Sequence, residues 1–412
     1  MTMTGERADT PYDALERREP RERERGLFAR LPEQLAHAKA KSAFFGRLLA
    51  GVDPARITDR AALAALPVTR KSDLHELQRT VKPFGGLNAT PPAKLARIFL
   101  SPGPIYDPEG RGADWWGTAR TLHAAGFRAG DVVLNCFSYH LTPAGSMFET
   151  GLHHLGCAVI PGGVGQTELQ ARVLADLEPA GYVGTPSFLK LILEKADELG
   201  LPSGSLQRAV VSGEAFLPPV RDYLAARGIA AFQAYGTADL GLVAYETPAR
   251  EGLVVNEDLV LEILRPGTGD PVAEGEVGEV VVTTFNADYP LVRFATGDLS
   301  AVLPGASPCG RTNGRIRGWM GRADQTTKVR GMFVHPHQVA DVLKRHGLAR
   351  GRLVVDNPGG EDRMTLKVEG LAGDAAAIEA TLRDVTKVRG TVVAASCLPN
   401  DGKVIEDARD YS

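Results

Sequence analysis

The sequence predicts an α/β protein with a large amino-terminal domain of βαβ layers, a small β-rich subdomain within it, and a small α/β domain at the carboxyl end. Three observations support this prediction. Short β-branched runs alternate with amphipathic stretches over residues 99–253. Over residues 254–303, strand-like runs follow one another without long helical patterns. Beyond Gly321 the alternation begins again. Strands that alternate with helices form βαβ units and a largely parallel sheet.

The first 26 residues are rich in charge, and we expect them to form a frayed lead-in. A helical pattern follows over residues 27–49, because Leu27, Leu31, Leu35 and Ala38 recur at helical spacing. In the alternating region, short β-branched runs are bounded by Gly, Pro or polar residues and are predicted to be strands. One of the amphipathic stretches between them predicts a helix over residues 188–199. The predicted strands there are 132–134, 158–160, 182–183 and 209–211.

The change of rhythm after residue 254 predicts an antiparallel or barrel-like subdomain, with strands at 259–264, 278–284 and 298–303. The last 90 or so residues are enough for a domain of their own. Its predicted strands are 326–329, 352–355 and 364–368, and its predicted helices are 336–345 and 375–388. We therefore predict a large domain over residues 27–320, a hinge at 321–325 and a small domain over 326–412.

Composition and charge exclude several classes of function. The chain of 412 residues has a formal net charge of -3, and its 24% of charged residues are spread along it, so no basic face indicates nucleic acid or an anionic membrane. No stretch reaches the roughly 18 apolar residues of a membrane span, and the polar start does not resemble a signal peptide. The four cysteines form no C-x-x-C pair. We expect a cytoplasmic protein with a small-molecule partner, and leave a homodimer open.

A glycine before an aspartate, Gly297-Asp298, marks the first candidate binding residue. Glycine at a strand edge lets the backbone approach a ligand closely, and the carboxylate can accept hydrogen bonds from the vicinal hydroxyls of a ribose. Alone, such a pair is more often a plain turn. Here it lies within the segment 289–299, and three further segments accompany it: 233–239, 321–331 and 398–403.

These four segments, in this order and at about these separations, resemble those of the adenylate-forming superfamily of acyl-CoA synthetases, adenylation domains and luciferases. The resemblance is closest to the phenylacetate-CoA ligase branch, through the segments 66–74, 304–317 and 330–336, and it covers residues 27–407. It implies that a carboxylic acid, aryl or short acyl, reacts with ATP and Mg²⁺ to give an acyl-AMP, which then passes its acyl group to coenzyme A. Two alternatives stay open: another acceptor, as in the deazaflavin-coenzyme adenylating relatives, and a non-catalytic paralogue that senses an acid, an acyl-CoA or a nucleotide.

The resemblance also implies roles for individual residues. Asp298 is the ribose-binding carboxylate, Arg322 contacts phosphate, and Asp324 is the hinge residue about which a mobile carboxyl-terminal lid turns. Lys403 bridges the substrate carboxylate and the α-phosphate during adenylation, a task that suits a compact cation on a flexible stem.

The remaining site residues follow segment by segment. Tyr235 packs near the adenine, and Asp239 holds Mg²⁺ through water. Aromatic side chains at 137–140 suit an acyl pocket, with simple core as the alternative. The residues that the resemblance places at the adenine, the nucleotide or the acyl group are Ser212, Gly213, Glu214, Ala215, Gly236, Thr237, Phe137, Tyr139 and His140.

The phosphate loop departs from the family. Over residues 101–110 three prolines remove N–H donors, the usual threonines and lysine are missing, and Asp107 and Glu109 add negative charge. We expect any phosphate contact to come from Ser101, the N–H groups of Gly103, Ile105 and Tyr106, and the Tyr106 hydroxyl. The extra Cys and His residues of some branch members are also missing near Cys309, so no zinc site is expected.

Overall fold

The computed structural model describes residues 10–320, 322–323, 325, 327–334, 336–371, 374–399 and 403–410. The chain divides after Met320 into two compact units, which are described one at a time. Among the described residues, no helix is both long and apolar enough to cross a membrane.

The helices of the first unit are α1 Pro20–Lys41, α2 Ala43–Leu48, α3 Arg60–Ala64, α4 Leu74–Thr80, α5 Ala119–Ala124, α6 Ala144–His154, α7 Thr167–Leu177, α8 Pro186–Glu198 and α9 Pro218–Ala226. Its strands are β1 Thr69–Arg70, β2 Arg97–Ser101, β3 Ile105–Glu109, β4 Val132–Asn135, β5 Ala158–Pro161, β6 Gly181–Gly184, β7 Arg208–Val211, β8 Ala230–Thr237, β9 Gly241–Glu246, β10 Leu253–Val255, β11 Leu259–Leu264, β12 Gly278–Thr284, β13 Phe294–Ser300, β14 Val302–Leu303 and β15 Arg315–Ile316.

The large sheet has the order β14-β15-β10-β9-β8-β7-β6-β4-β5 within the described residues. Pairing is parallel from β5 through β4, β6 and β7 to β8, and antiparallel beyond β8. The four strands predicted in the alternating region are therefore confirmed. Both faces of β6 and β7 are buried, as expected for parallel strands covered by helices on two sides.

Helix α8 shows why this region alternates as it does. The Thr185 side chain accepts the Phe188 N–H at the first turn, and Pro186 occupies the first helical position, where its missing N–H costs nothing. Its buried residues Leu189, Ile192, Leu193 and Ala196 form one apolar stripe against the sheet. The helix predicted over 188–199 is confirmed.

A second sheet has the order β1-β13-β12-β11, with antiparallel pairing among the last three strands and β1 parallel to β13. This open sheet confirms the antiparallel alternative and not the barrel-like one. Strands β10, β14 and β15 belong instead to the large sheet. The sequence could not predict this, because a run of short strands without intervening helices does not indicate which sheet each strand joins.

The charged lead-in is not frayed where the structure describes it, and this prediction was wrong. Helix α1 begins at Pro20, and Glu16, in a 3₁₀ turn before it, is fully buried. Glu16 accepts hydrogen bonds from the side chains of Arg120, Arg311 and Tyr245. Buried charges of opposite sign satisfy one another here, so a sequence that is polar by composition packs as core.

The second unit contains a hairpin of β16 Thr327–Val329 and β17 Met332–Val334, helices α10 Pro336–Arg345 and α11 Ala375–Thr386, and a sheet of order β20-β19-β18-β21. The strands of that sheet are β18 Gly351–Asp356, β19 Arg363–Glu369, β20 Thr391–Ala395 and β21 Ile405–Asp407. The unit has its own apolar core, which includes Val339, Val342, Leu366 and Leu382. Its predicted elements are confirmed within about two residues.

Candidate active site at the edge of the large sheet

The predicted site residues of the first unit cluster where the parallel strands end. Phe137 follows β4, Ser212 follows β7, and Thr237 ends β8. The carboxyl ends of neighbouring parallel strands lie at one edge of a sheet, where α/β proteins bind ligands. The topology therefore brings together three segments that are far apart in the sequence.

The predicted adenine loop lies against the predicted acyl pocket. Gly213 has a φ of 82°, a left-handed conformation that favours glycine. A Cβ atom added there would lie 3.9 Å from the Phe137 ring. The next residue, Glu214, accepts the backbone N–H of Ser187 at 2.7 Å, which fixes the loop to the start of α8. Ser212, Gly213, Glu214 and Ala215 thus form a short, anchored turn beside an aromatic side chain.

Asp298 is the best-supported carboxylate of the site. One carboxylate oxygen accepts a hydrogen bond of 3.0 Å from the Tyr235 hydroxyl, and the other accepts one of 3.1 Å from the indole N–H of Trp319. Its own backbone N–H donates to the Thr296 hydroxyl at 3.1 Å. A carboxylate has about four lone-pair positions, so it can accept several hydrogen bonds at once. The structure thus brings Tyr235 and Asp298 together from two different sheets.

The turn after β8 depends on two glycines. A Cβ atom on Gly236 would lie 2.5 Å from the Gly241 carbonyl oxygen, and one on Gly241 would lie 2.5 Å from the Trp116 carbonyl oxygen. The Thr237 hydroxyl accepts the Leu240 N–H at 3.2 Å. Close backbone packing therefore fixes the segment that presents Asp239.

The predicted acyl pocket is built on Asn135, the last residue of β4. Its amide donates to the Tyr139 hydroxyl at 2.8 Å, and that hydroxyl donates to Glu149 at 2.7 Å. Burial and the neighbouring Glu149 carboxylate raise the pKa of Tyr139, so it stays a neutral donor. Phe137 stacks on Phe148 with ring centroids 4.7 Å apart. His140, by contrast, is exposed.

The segment in the position of the phosphate loop is a tight hairpin. Ser101 of β2 pairs with Ile105 of β3, which leaves only residues 102–104 in the turn. Ser101 is buried, and its hydroxyl donates to the Ile105 carbonyl. The Tyr106 N–H donates to the Gln78 side chain at 2.7 Å, so the expectation that it contacts phosphate was wrong. Gly103, with a φ of 143°, forms the tip of the turn.

The two acids of this hairpin point inward. Glu109 accepts hydrogen bonds from Ser146 and Arg97, both at 2.6 Å. Asp107 is fully buried beside Asp239, and burial together with the negative charge of Asp239 raises the pKa of Asp107 well above its usual range. Asp239 in turn accepts a charge-assisted hydrogen bond of 2.5 Å from the Lys71 ammonium group.

The predicted residues of the second unit are only partly described. Arg322 is partly exposed, and Lys403 is exposed two residues before β21. Asp324 lies outside the described residues. The catalytic roles implied for these three residues stay predictions.

Sequence reasoning missed several residues that shape the site. Trp319 stands beside the predicted hinge, and Lys71 lies in the branch-specific segment 66–74, so position alone could have pointed to both. No sequence pattern marks Gln78, Asn135 or Glu149, because their partners are fixed only by the fold. Within the described ranges, no three His, Cys, Asp or Glu residues group as a metal cluster.

The fold is that of the adenylate-forming CoA ligases. A crystal structure of 2-hydroxyisobutyryl-CoA ligase in complex with 2-HIB-AMP and CoA has a TM-score of 0.81 and 25% identity, and the match covers 96% of this chain and 92% of that one. The same ligase in its postadenylation state has a TM-score of 0.72.

Curated relatives give the family. The phenylacetate-coenzyme A ligase of Aromatoleum evansii is 34% identical over 336 residues, which are 77% of this chain and 74% of the relative. The enzyme of that name from Thermus thermophilus is 33% identical over 372 residues, 85% of this chain and 82% of the relative. This chain therefore belongs to the phenylacetate-CoA ligase family. No family model matches the chain.

Proposed function

We propose that this protein is an AMP-forming acid:CoA ligase. In the first half-reaction an oxygen of the acid attacks the α-phosphorus of ATP, and pyrophosphate leaves. In the second, the thiol of coenzyme A attacks the acyl carbon, and AMP leaves. The relatives named phenylacetate-coenzyme A ligase and the ligase solved with an acyl-AMP and CoA support both steps.

The observation that best supports the proposal is the carboxylate of Asp298. It is 8% exposed, and the donors Tyr235 and Trp319 fix its orientation. A carboxylate accepts hydrogen bonds of the kind that vicinal hydroxyl groups donate. A ribose offers such a pair of hydroxyls. The predicted adenine loop at 212–215 occupies the same sheet edge, as nucleoside binding requires.

The finer parts of the proposal concern the acid, the metal and the compartment. The stacked rings of Phe137 and Phe148 suit an aryl or short acyl group. Mg²⁺ is the ion that ordinarily accompanies ATP phosphates. In the second unit, Arg322 and Lys403 supply positive charge for the phosphate and the developing transition state. The cytoplasm supplies both ATP and coenzyme A, and we place the enzyme there.

The test measures pyrophosphate release and thioester formation with a panel of aryl and short acyl carboxylates, each with and without coenzyme A. We expect release of pyrophosphate with at least one acid, and AMP and an acyl-CoA in equal amounts once coenzyme A is added. Pyrophosphate and AMP without any thioester would indicate a different acceptor.

The hairpin at residues 97–109 favours one second candidate, a non-catalytic protein that binds an acid, an acyl-CoA or a nucleotide. Pro102 and Pro104 have no N–H group, and the Tyr106 N–H is already bonded to Gln78, so the turn has few donors for phosphates. Isothermal titration separates the candidates. The ligase binds ATP-Mg²⁺, whereas the sensor binds an acid or an acyl-CoA and shows no heat with ATP-Mg²⁺.

A further inference from the structure

The backbone that directly follows Lys403 is bonded to the side chain of Gln325. The Gln325 side-chain oxygen accepts a hydrogen bond of 2.7 Å from the Val404 N–H and one of 3.3 Å from the Ile405 N–H. Ile405 begins β21, an outer strand of the sheet of the second unit. An amide oxygen has two lone pairs, so this one side chain satisfies two successive backbone donors.

This contact fixes the backbone beside Lys403. The Val404 N–H lies in the same rigid peptide plane as the Lys403 carbonyl group. The Val404 carbonyl oxygen is held as well, because it accepts a hydrogen bond of 2.9 Å from the Leu353 N–H of β18. The Lys403 side chain itself is exposed, so the direction in which it leaves the second unit depends on this backbone.

Residues that precede Lys403 are anchored too. The Pro399 carbonyl oxygen accepts hydrogen bonds from Arg350 at 2.8 Å and from Arg352 at 3.0 Å. The Leu398 N–H donates to the side chain of Glu369, the last residue of β19. Side chains of the second unit therefore hold the chain both before and after Lys403.

The backbone of Gln325 adopts a conformation that few residues with a side chain adopt. Its φ is 61°, in the left-handed region. Such strain persists only where the surrounding contacts determine the conformation, and it is concentrated at functional sites. In the sequence, Gln325 directly follows the predicted hinge residue Asp324 and stands two residues before β16. One residue thus connects the hinge segment to the strand that follows Lys403.

We propose that Gln325 is a positioning residue for adenylation, whose side-chain oxygen holds the peptide plane after Lys403 so that the ammonium group meets the charge that develops at the α-phosphate. The inference rests on the proposed function and on the role implied there for Lys403. A cation on a flexible stem contributes most when its origin is fixed in advance, since less rearrangement is then needed in the transition state. Thioester formation makes no bond to the α-phosphorus, so it does not depend on this contact.

Three variants isolate the hydrogen bond. Gln325→Met keeps an unbranched side chain of similar size and removes the strong acceptor, whereas Gln325→Glu keeps an oxygen acceptor. Gln338→Met is the matched control. The Gln338 side chain is also partly buried in the second unit, but it donates to the Val385 carbonyl oxygen at 2.9 Å and so joins α10 to α11.

The experiment measures both half-reactions of the full chain in single turnovers, with the acid that releases pyrophosphate fastest in the carboxylate panel. For Gln325→Met we expect adenylate formation at saturating ATP to be slower by about tenfold or more, because small misplacements of a catalytic group cost rate steeply. Thioester formation from supplied acyl-AMP should keep its wild-type rate. Gln325→Glu and Gln338→Met should form the adenylate at close to the wild-type rate.

Two further measurements separate positioning from a general effect on stability. In a Lys403→Ala background, Gln325→Met should slow adenylate formation no further, because Gln325 acts through that lysine. Hydrogen exchange followed by mass spectrometry should show the Val404 and Ile405 amides exchanging about fivefold faster or more in Gln325→Met, since each loses its acceptor. Gln338→Met should leave the exchange of these two amides unchanged.

Three results would overturn the inference. The first is a wild-type rate of adenylate formation in Gln325→Met. The second is a further loss of the same size in the Lys403→Ala background, which would mean that Gln325 does not act through the lysine. The third is a Gln325→Glu variant as slow as Gln325→Met. If Gln325→Met does not fold, Gln325→Asn removes the contact instead, because its side chain is one methylene shorter and tolerates a positive φ.

Hydrogen exchange needs no turnover, so this inference and the proposed function can be told apart when one fails. Faster exchange at Val404 and Ile405 in Gln325→Met, in a protein that forms no acyl-AMP with any acid, would refute the ligase proposal while the contact itself stands. Acyl-AMP formed equally fast with and without the Gln325 side-chain oxygen would refute the positioning role and leave the ligase proposal intact.

Discussion

The hydroxyl of Tyr235 donates a hydrogen bond of 3.0 Å to the carboxylate of Asp298, and this bond joins β8 of the large sheet to β13 of the second sheet. It orients the acid that we assign to the ribose. Replacing Asp298 by Asn should raise the KM for ATP about 10- to 100-fold, because hydrogen bonds to charged groups contribute about 1.5–3 kcal/mol. Tyr235→Phe should raise it about 3- to 10-fold, since it loses one orienting bond.

Tyr245→Phe is the control for this pair of changes. Tyr245 is also a buried phenol bonded to a carboxylate, that of Glu16, away from the sheet edge. Steady-state kinetics should therefore show an unchanged KM for ATP in Tyr245→Phe. Equal changes in Tyr235→Phe and Tyr245→Phe would indicate a general loss of stability and not a binding role.

Lys403→Ala should reduce acyl-adenylate formation about 10²- to 10³-fold, the usual effect of removing one contact to developing charge. Thioester formation from supplied acyl-AMP should stay close to wild type, because that step does not form the bond to the α-phosphorus. The two half-reactions are measured separately in single-turnover experiments. Lys367→Ala, an exposed lysine on β19, should affect neither half-reaction. An equal loss in both steps would contradict the role assigned to Lys403.

Glu16→Gln should lower the free energy of unfolding by about 3–5 kcal/mol. The change leaves the buried cations Arg120 and Arg311 without their shared carboxylate, and breaking a buried ion pair from one side typically costs that much. Urea unfolding measures the effect. Glu76→Gln, which breaks an exposed pair with Arg79, should change stability by less than about 1 kcal/mol. A small effect for Glu16 would mean that the amino-terminal segment contributes little to the fold.

The stability of the protein should fall as the pH is lowered from about 6.5 towards 4, in part because of His123. Burial, with the positive charge of Arg128 adding to it, lowers the pKa of His123 to about 4. Between about pH 6.5 and 4 the unfolded chain therefore binds a proton at His123 that the folded chain does not bind. The contribution of neutral His123 to stability is complete above pH 6.5 and is lost on acidification. From pH 6.5 to 4, the free energy of unfolding of His123→Gln should fall by about 1–2 kcal/mol less than that of the wild type. Parallel curves for the two proteins would contradict this expectation.

Much of the fold could be predicted because it depends on local patterns. Strands such as β6 and β7 are short apolar runs between turn residues, and α8 has a cap, a proline and an apolar stripe within its own sequence. The amino-terminal segment could not be predicted in this way. Glu16 and Arg23 look like surface charges until the fold brings Arg311 and Glu257 to them from about 230–300 residues away.

The candidate site likewise has parts that the sequence could predict and parts that only the fold reveals. Asp298 and the loop at 212–215 could be placed from motifs, since each motif is contiguous in the sequence. The bond between Asp298 and Trp319, the ion pair of Lys71 with Asp239, and the burial of Asp107 depend on contacts between segments. The sequence indicated that the phosphate loop was altered, but only the burial of Asp107 in the folded hairpin shows that this acid turns inward.

The most direct test of the ligase proposal follows the oxygen atoms of the acid. A carboxylate substrate labelled with ¹⁸O in both oxygens is converted with ATP, Mg²⁺ and coenzyme A, and the products are analysed by mass spectrometry. Attack of the carboxylate on the α-phosphorus predicts that each AMP formed carries one ¹⁸O atom and that pyrophosphate carries none. Label in inorganic phosphate together with ADP, or unlabelled AMP, would contradict the acyl-adenylate pathway and with it the function proposed for this protein.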